Sequence, residues 1–409
     1  MQKFIEILSK KIDSNRNLID DWFAQKFSKT TALFYNSVDL RHAEFKIAPV
    51  DTNCFPAGFG NLKNTSKEKA KTIADEFLNK NFPNAKKIIL IPESHTRNLF
   101  YLNNLLDLQE IISAKREVLL GSLIEDLKEK TTIDLENGRF AELHPLVKNA
   151  DKISTVDGFS PDLIILNNDL TDGIPQILEG TKIPVAPPVN MGWHHRTKSQ
   201  HFTIYNQLAV ELAQLINLDP WLISSLHKSC DHIDFKHQKG MELLAKNTDE
   251  LLENLRKKYQ EYNIKDEPYC FIKADSGTYG IAVWSVSSGK EVLEINKKER
   301  NKMNMLKGSV QNTAVVIQEG IKTVDRISDK VAEPMIYMIG GQVVGNLFRV
   351  NESRDEKISL NTAGMTFFDL EELTENQINI GATKNQIANI YSLIARLAAL
   401  AAAIENKNN

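Results

Sequence analysis

Residues 269–286 read YCFIKADSGTYGIAVWSV. Tyr269, Phe271 and Lys273 alternate with Cys270, Ile272 and Ala274, the period-two pattern of a strand. The run breaks at Asp275-Ser276-Gly277-Thr278-Tyr279-Gly280, and a second strand follows over 281–286. A Walker A or dinucleotide-binding turn needs a helix after its glycines. Here a strand follows, so the loop closes as a hairpin. Glycines tolerate positive φ and let backbone N–H groups approach a ligand, which suits a flap over phosphates with Lys273 as the fixed cation at its root. An ordinary hairpin whose lysine discourages edge pairing carries the same pattern.

Downstream, the pattern predicts a helix near 297–306, a strand over 314–318 running into Glu319-Gly320, and a hairpin over 335–350 turned by Gly340-Gly341 with Arg349 near its exit. The stretch 351–365 is polar, and a last helix covers about 384–404. This succession, over about residues 226–409, resembles the ATP-grasp fold, in which two α+β halves hold ATP between them. The resemblance implies Lys273 on the α- and β-phosphates and Ser276, Gly277, Thr278, Tyr279 and Gly280 as the flap. It also implies Gln318 and Glu319 as the hinge that meets adenine and ribose. Arg349 then faces the γ-phosphate and an acyl phosphate, for which a bidentate guanidinium is suited. The chain departs from the pattern twice. The Asp-x-Arg that opens the strand before the glycine turn reads Glu333-Pro334-Met335, and the late Glu-x-Asn strand of metal ligands is not visible. Glu333 and Asn361 are the oxygen ligands that remain to be expected for Mg²⁺, although a surface carboxylate and a turn asparagine fit the same residues.

The upstream half is organised differently. Two packed helices are expected over 1–29, a shaped loop region over 37–64, and a helix over 66–80. Short apolar strands follow at 87–91, 163–166 and 183–186, with helical segments at about 106–128 and 203–216. Strands alternating with helices argue for a parallel sheet whose ligands sit beyond the strands' carboxyl ends, where PESHTRN, NND and PPVNMGWHHR lie. The fold class expected is therefore an N-terminal parallel-sheet α/β domain, residues 1–225, followed by an ATP-grasp-like α+β nucleotide-binding domain, 226–409. The boundary is drawn in 225–236, which has no clear period, before a helix at 238–263.

Composition sets the outer limits. With 409 residues, 42% hydrophobic, 25% charged and 13 prolines, the chain has the make-up of a globular protein with two or three domains. A net charge of −3 gives no basic excess for nucleic-acid binding. Cys54, Cys230 and Cys270 are odd in number and far apart, which points to neither a disulfide framework nor a zinc site and favours a reducing cytoplasm. The N-terminus lacks the continuous apolar core of a signal peptide, and the run 397–404 is well short of the ~18 apolar residues of a membrane span, so no membrane role is expected.

Six blocks narrow the substrate: VDTNCFPAGFGNL (50–62), IPESHTRN (91–98), NMGWHHRTKSQHF (190–202), FIKADSGTYG, QEGIKT and SLNTAGMTF. Together they resemble the proteobacterial type of glutamate-cysteine ligase over nearly the whole chain. That resemblance implies glutamate, cysteine and ATP giving γ-glutamylcysteine, ADP and phosphate, the first step of glutathione synthesis. An amino-acid substrate needs cations for its carboxylate and anions for its ammonium. Arg41, Arg97 and Arg196 offer the first; Asp51 and Glu93 offer the second. Asn53 belongs to the same loops, and His194 suits hydrogen bonding to substrate or phosphate. Arg41 and Lys198 also fit as surface charges, Asp51 and Asn53 as turn caps. No residue stands out as the base for the incoming amine; His194 and His195 qualify on pKa alone. Another ATP-grasp ligase with different amino acids, or a non-catalytic ATP sensor, fits the same blocks. The oligomeric state leaves no mark in the sequence.

Overall fold

The computed structural model describes residues 4–94, 98–135, 138–277, 282–305 and 311–408. Its framework is three sheets. The parallel sheet orders the strands Thr131–Leu135, Arg139–Asn149, Glu117–Ser122, Lys87–Pro92, Leu163–Asn167 and Val185–Ala186, with Lys152–Thr155 paired to Arg139–Asn149. All its neighbours run parallel except Thr131–Leu135 and Lys152–Thr155. The adjacent strands Lys87–Pro92 and Leu163–Asn167 are apolar over Ile88–Ile91 and Leu163–Leu166 because both faces are covered there. Ile88, Leu90, Leu163 and Ile165 pack on one side, with helices Asn64–Asn81 and Leu99–Ile112, while Ile89, Ile91, Ile164 and Leu166 pack on the other.

A second sheet is antiparallel: His227–Asp231, Ala314–Glu319, Cys270–Ala274 and Val283–Val286. Helix Met241–Glu261 covers one of its faces, burying Leu244, Leu251, Leu252 and Leu255 at helical spacing.

The central sheet joins the two ends of the chain. Its order is Thr366–Asp369, Gln342–Val350, Lys330–Ile339, Tyr35–Ala43 and Lys46–Asn53, all antiparallel, with Tyr35 opposite Ile339 and Asp39 opposite Met335. Gly340 and Gly341 take φ of +57° and +76°, the positive values a two-residue hairpin turn needs at both positions. Val38, Leu40, Ile336, Met338, Phe348 and Val350 face one side and are buried against the C-terminal helix Lys384–Asn408. That helix is long and apolar enough to cross a membrane, but its apolar residues, Leu397 and Leu400 among them, lie in this core.

The expected helices at 66–80 and 203–216 and the hairpins at 269–286 and 335–350 coincide with observed elements. Three expectations change. The region 37–64 contains two strands rather than an irregular loop; the alternation Ser37-Val38-Asp39-Leu40-Arg41 is their signature. The helix expected at 106–128 ends at Ile112, because Val118, Leu119 and Leu120 pair with Ile88, Ile89 and Leu90 as a parallel strand. Residues 227–231, inside the expected boundary, are an edge strand paired with Ala314–Glu319. The central sheet thus takes strands from both sides of residue 225.

Candidate active site

Side chains two residues apart on a strand share a face. On the face of the central sheet turned away from the C-terminal helix, this rule brings together Ser37, Asp39 and Arg41; Glu333, Met335 and Tyr337; Asp51 and Asn53; and Arg349. All of them line one or both of two cavities.

The first is a narrow cleft of about 80 Å³ between this face and the four-stranded sheet, which contributes Phe271, Lys273, Ala274, Ser276, Gly277 and Val283. The second is a chamber of about 1100 Å³. Its walls include Glu93 and Ser94 after one parallel strand, Asn167 and Asp169 at the end of another, and the start of helix Leu99–Ile112. Asp39, Asp51, Arg349 and Asn361 line both, so the cavities meet there.

In the cleft, the Lys273 Nζ donates to the backbone oxygen of Val50 (3.1 Å) and to Gln318 Oε1 (2.6 Å), and Gln318 Nε2 donates to Ser225 Oγ (2.7 Å). Burial lowers the Lys273 ammonium to about 8; Asp51 opposes that fall, and Lys198 and Arg41 add to it. Lys198, which also fitted a surface charge, is buried. It donates to the backbone oxygen of Gly277 (2.7 Å), lies 3.6 Å from Asp51 and sits over the Trp193 ring at 3.8 Å.

A row of alternating charge crosses the sheet. Arg41 donates to the backbone oxygens of Glu356 (2.8 Å) and Ile358 (2.7 Å) and pairs with Glu333 Oε2 (2.7 Å). Arg349 pairs with Glu333 Oε1 and with Asp39 Oδ2, the latter at 3.1 Å. Burial acts to raise Glu333, but Arg41 and Arg349 outweigh it and hold the carboxyl below its ordinary range. Asp39 is raised by burial, with Glu333 and Asp51 adding and Arg349 opposing. Asp51 is lowered, because Lys198, Lys273 and Arg196 outweigh its burial.

The remaining expected residues divide. Asn53 accepts from the Phe55 backbone N–H (2.8 Å), a turn cap that also lines the chamber. Glu93 lines the chamber too, and its Oε1 accepts from the Asp169 backbone N–H (3.0 Å). Glu319 is elsewhere: both its oxygens are held by Lys46 Nζ at 2.9 and 2.8 Å, fully buried beside Trp221. Arg196 is a buried strut, bonded through Nε to Glu405 Oε1 (2.7 Å) and through Nη1 to the Thr52 backbone oxygen (2.6 Å). His194 and His195 are exposed and line neither cavity. Of the three loops expected to converge, those after Lys87–Pro92 and Leu163–Asn167 do, whereas the 187–196 loop does not. Arg97, Thr278, Tyr279 and Gly280 lie outside the described residues.

For a divalent cation, Glu333 fits poorly, since each of its oxygens already faces a guanidinium. Asn361 remains, lining both cavities. Among the described residues, no group of three or more His, Cys, Asp or Glu side chains is placed to hold a metal.

The family model described as glutamate-cysteine ligase matches residues 9–406. The chain belongs to the glutamate-cysteine ligase family. A crystal structure from Methylobacillus flagellatus KT, provisionally named a γ-glutamylcysteine synthetase, is 39% identical; the match covers 98% of this chain and 96% of that one with a TM-score of 0.90. Two looser likenesses, each 11% identical, are a D-alanyl-alanine synthetase A from Vibrio cholerae O1 biovar eltor str. N16961 (TM-score 0.36, 76% of this chain and 80% of that one) and a glutathione synthetase-like effector from Globodera pallida (TM-score 0.37, 85% and 74%). No curated protein matches the chain. The sequence reading of this family member omitted Asp39, Ser37 and Tyr337, which their two-residue alternation beside Arg41 and Met335 could have revealed. It also omitted Tyr101 and Asn167, which line the chamber, with Tyr101 donating to the Asn167 backbone oxygen (3.0 Å).

Proposed function

We propose that this protein joins glutamate to cysteine through a γ-glutamyl phosphate formed from ATP, on an ATP-grasp-like arrangement of the four-stranded and central sheets. The observation that carries the reading is the meeting of a lysine- and arginine-lined cleft with a larger chamber of mixed polar and apolar lining at Asp39, Asp51, Arg349 and Asn361. In this reading the cleft takes the triphosphate and the chamber takes the two amino acids. Phosphoryl transfer leaves little covalent work to side chains, so Lys273, Lys198 and Arg349 act by positioning and by neutralising charge. The γ-carboxylate of glutamate attacks the γ-phosphorus beside Arg349, and the amine of cysteine then attacks the resulting acyl carbon from the chamber side.

A cleft of about 80 Å³ is smaller than the ~300–1,000 Å³ usual for ligand pockets. ATP entry therefore separates the two sheets, breaking the bond from Lys273 to Val50. The flap residue Gly277, with φ of +90°, is released from Lys198 in the same movement. The activity implies ATP with a divalent cation. Mg²⁺ takes most of its ligands from phosphates and water, and Asn361 is the expected ligand left free of a guanidinium to join them. We place the reaction in a reducing cytoplasm, in keeping with three free, buried cysteines.

The test is ADP release by the purified chain with Mg²⁺ and ATP, offered glutamate, cysteine, or both, with the product mass recorded. The reading expects release that requires both, and a γ-glutamylcysteine mass. Release with a different acid and amine would discard these substrates and keep the ligase. Silence across an amino-acid panel would favour a sensor.

A further inference from the structure

Asp39 and Asp51 are directly opposite one another across two paired strands, on the same face, with a bulge immediately after Asp39. Like charges in that position destabilise a sheet. Most of their present compensation comes from cations that the proposed reaction gives to phosphate: Lys198 and Lys273 for Asp51, and Arg349 for Asp39. Arg349 is divided already, since the same Nη1 serves Asp39 and Glu333. Filling the cleft with a triphosphate thus leaves two neighbouring carboxylates short of a counterion at the point where the cavities join. A primary ammonium arriving from the chamber supplies it.

We propose that Asp39 and Asp51 seat the ammonium of the incoming amino acid, and that Asp39 takes its proton so that the amine can attack. This rests on the ligase reading above. In the step, the amine nitrogen bonds to the acyl carbon while the bond from that carbon to the phosphate oxygen breaks, its electron pair leaving with phosphate. Of the two protons the ammonium loses, one goes to Asp39 and then to solvent, and the other leaves on phosphate. The neighbours of the two residues divide the roles. Asp51 faces Lys198 and Lys273 and stays ionised as the anchor. Asp39 faces Asp51, Glu333, Arg349, Tyr337 and Lys273; burial and the neighbouring carboxylates raise its affinity for a proton, as a base needs, while Arg349 opposes that rise and favours the ionised form that accepts. The exposed histidines line neither cavity, so they do not compete for the role.

Hydroxylamine separates this role from a structural one, because it is already neutral at pH 7 and attacks acyl phosphates without prior loss of a proton. With full-length protein, Mg²⁺, ATP and glutamate, Asp39→Asn should lower kcat for cysteine by ~10²–10⁴-fold. Its γ-glutamyl hydroxamate formation from hydroxylamine should fall far less. The acid limb of the wild-type pH profile with cysteine should vanish in the variant, and Asp51→Asn should raise the KM for cysteine more than it lowers kcat. Equal loss of peptide and hydroxamate in Asp39→Asn, as a metal ligand or a folding residue would give, overturns the assignment. So does an unchanged kcat with cysteine. If the wild type forms neither peptide nor hydroxamate, the ligase reading itself fails, and the inference with it.

Discussion

If the cleft takes the triphosphate as proposed, Lys273 ties nucleotide binding to a proton. Free, its ammonium titrates at about 8, because burial disfavours the charge and Lys198 and Arg41 stand nearby. A triphosphate in the cleft restores the charged form, so binding takes up whatever fraction of a proton the free lysine lacks. With the free value near 8 and a bound value back above 10, uptake is ~0.1 proton at pH 7, ~0.5 at pH 8 and ~0.9 at pH 9. The sign follows from the direction of the shift: the cation is present below about pH 8 and lost above it, so the affinity for ATP declines as pH rises through that value. At pH 8 and above the terminal phosphate of ATP is deprotonated and adds almost nothing, so the comparison is made there. Calorimetric titration of ATP in buffers of different ionisation enthalpy reads the uptake directly. The control is Lys273→Arg, whose guanidinium keeps its charge throughout; it should bind ATP with almost no uptake at pH 8. An unaltered uptake in Lys273→Arg would refute the reasoning and pass the titration to Lys198, whose ammonium burial also lowers. Wild-type uptake below ~0.2 at pH 8 would refute the coupling, whether because the free ammonium is not lowered as far as about 8 or because the triphosphate does not reach it.

Two further outcomes test the frame around the site. Lys46→Met leaves the Glu319 carboxylate buried without its partner and should destabilise the protein by ~3–5 kcal/mol, whereas Lys46→Met with Glu319→Gln should recover most of that; urea midpoints of the two variants decide it. A Cβ at Gly58 would stand 2.0 Å from the Tyr337 hydroxyl oxygen, so Gly58→Ala should cost ~1–3 kcal/mol by overpacking and be partly rescued by Tyr337→Phe, followed by thermal unfolding.

What could be read from the chain alone was what depends on near neighbours. The strand of Lys273, the turn at Gly340-Gly341 and the apolar strands of the parallel sheet announce themselves within a few residues. The chemistry of Glu319 and Arg196 does not. Glu319 looks like a ribose ligand until Lys46, 273 positions away, occupies it, and Arg196 looks like a substrate arginine until Glu405, 209 positions away, does the same. Arg41 is similar: it lines the cleft, but its guanidinium is already engaged by Glu333 and by the loop of Glu356 and Ile358, neighbours of the cavity residues Ser359 and Asn361. Asp39 was legible in principle, as a polar position in strict alternation, but two strands hidden in a stretch of prolines and glycines read more easily as a loop.

The pairing of Tyr35–Ala43 with Lys330–Ile339 has a consequence for the life of the chain. On the ribosome, Asp39 emerges roughly 290 residues before Glu333, which at ~5–20 residues per second is a wait of ~15–60 s. Through that interval the early strand pair has no partner on its inner edge, and no carboxylate of the site has its arginine from the late strands. Activity arrives only with the last quarter of synthesis. On the proposed reading, an unfinished chain cannot begin to use ATP and amino acids, because the surface that would bring them together has not yet been made.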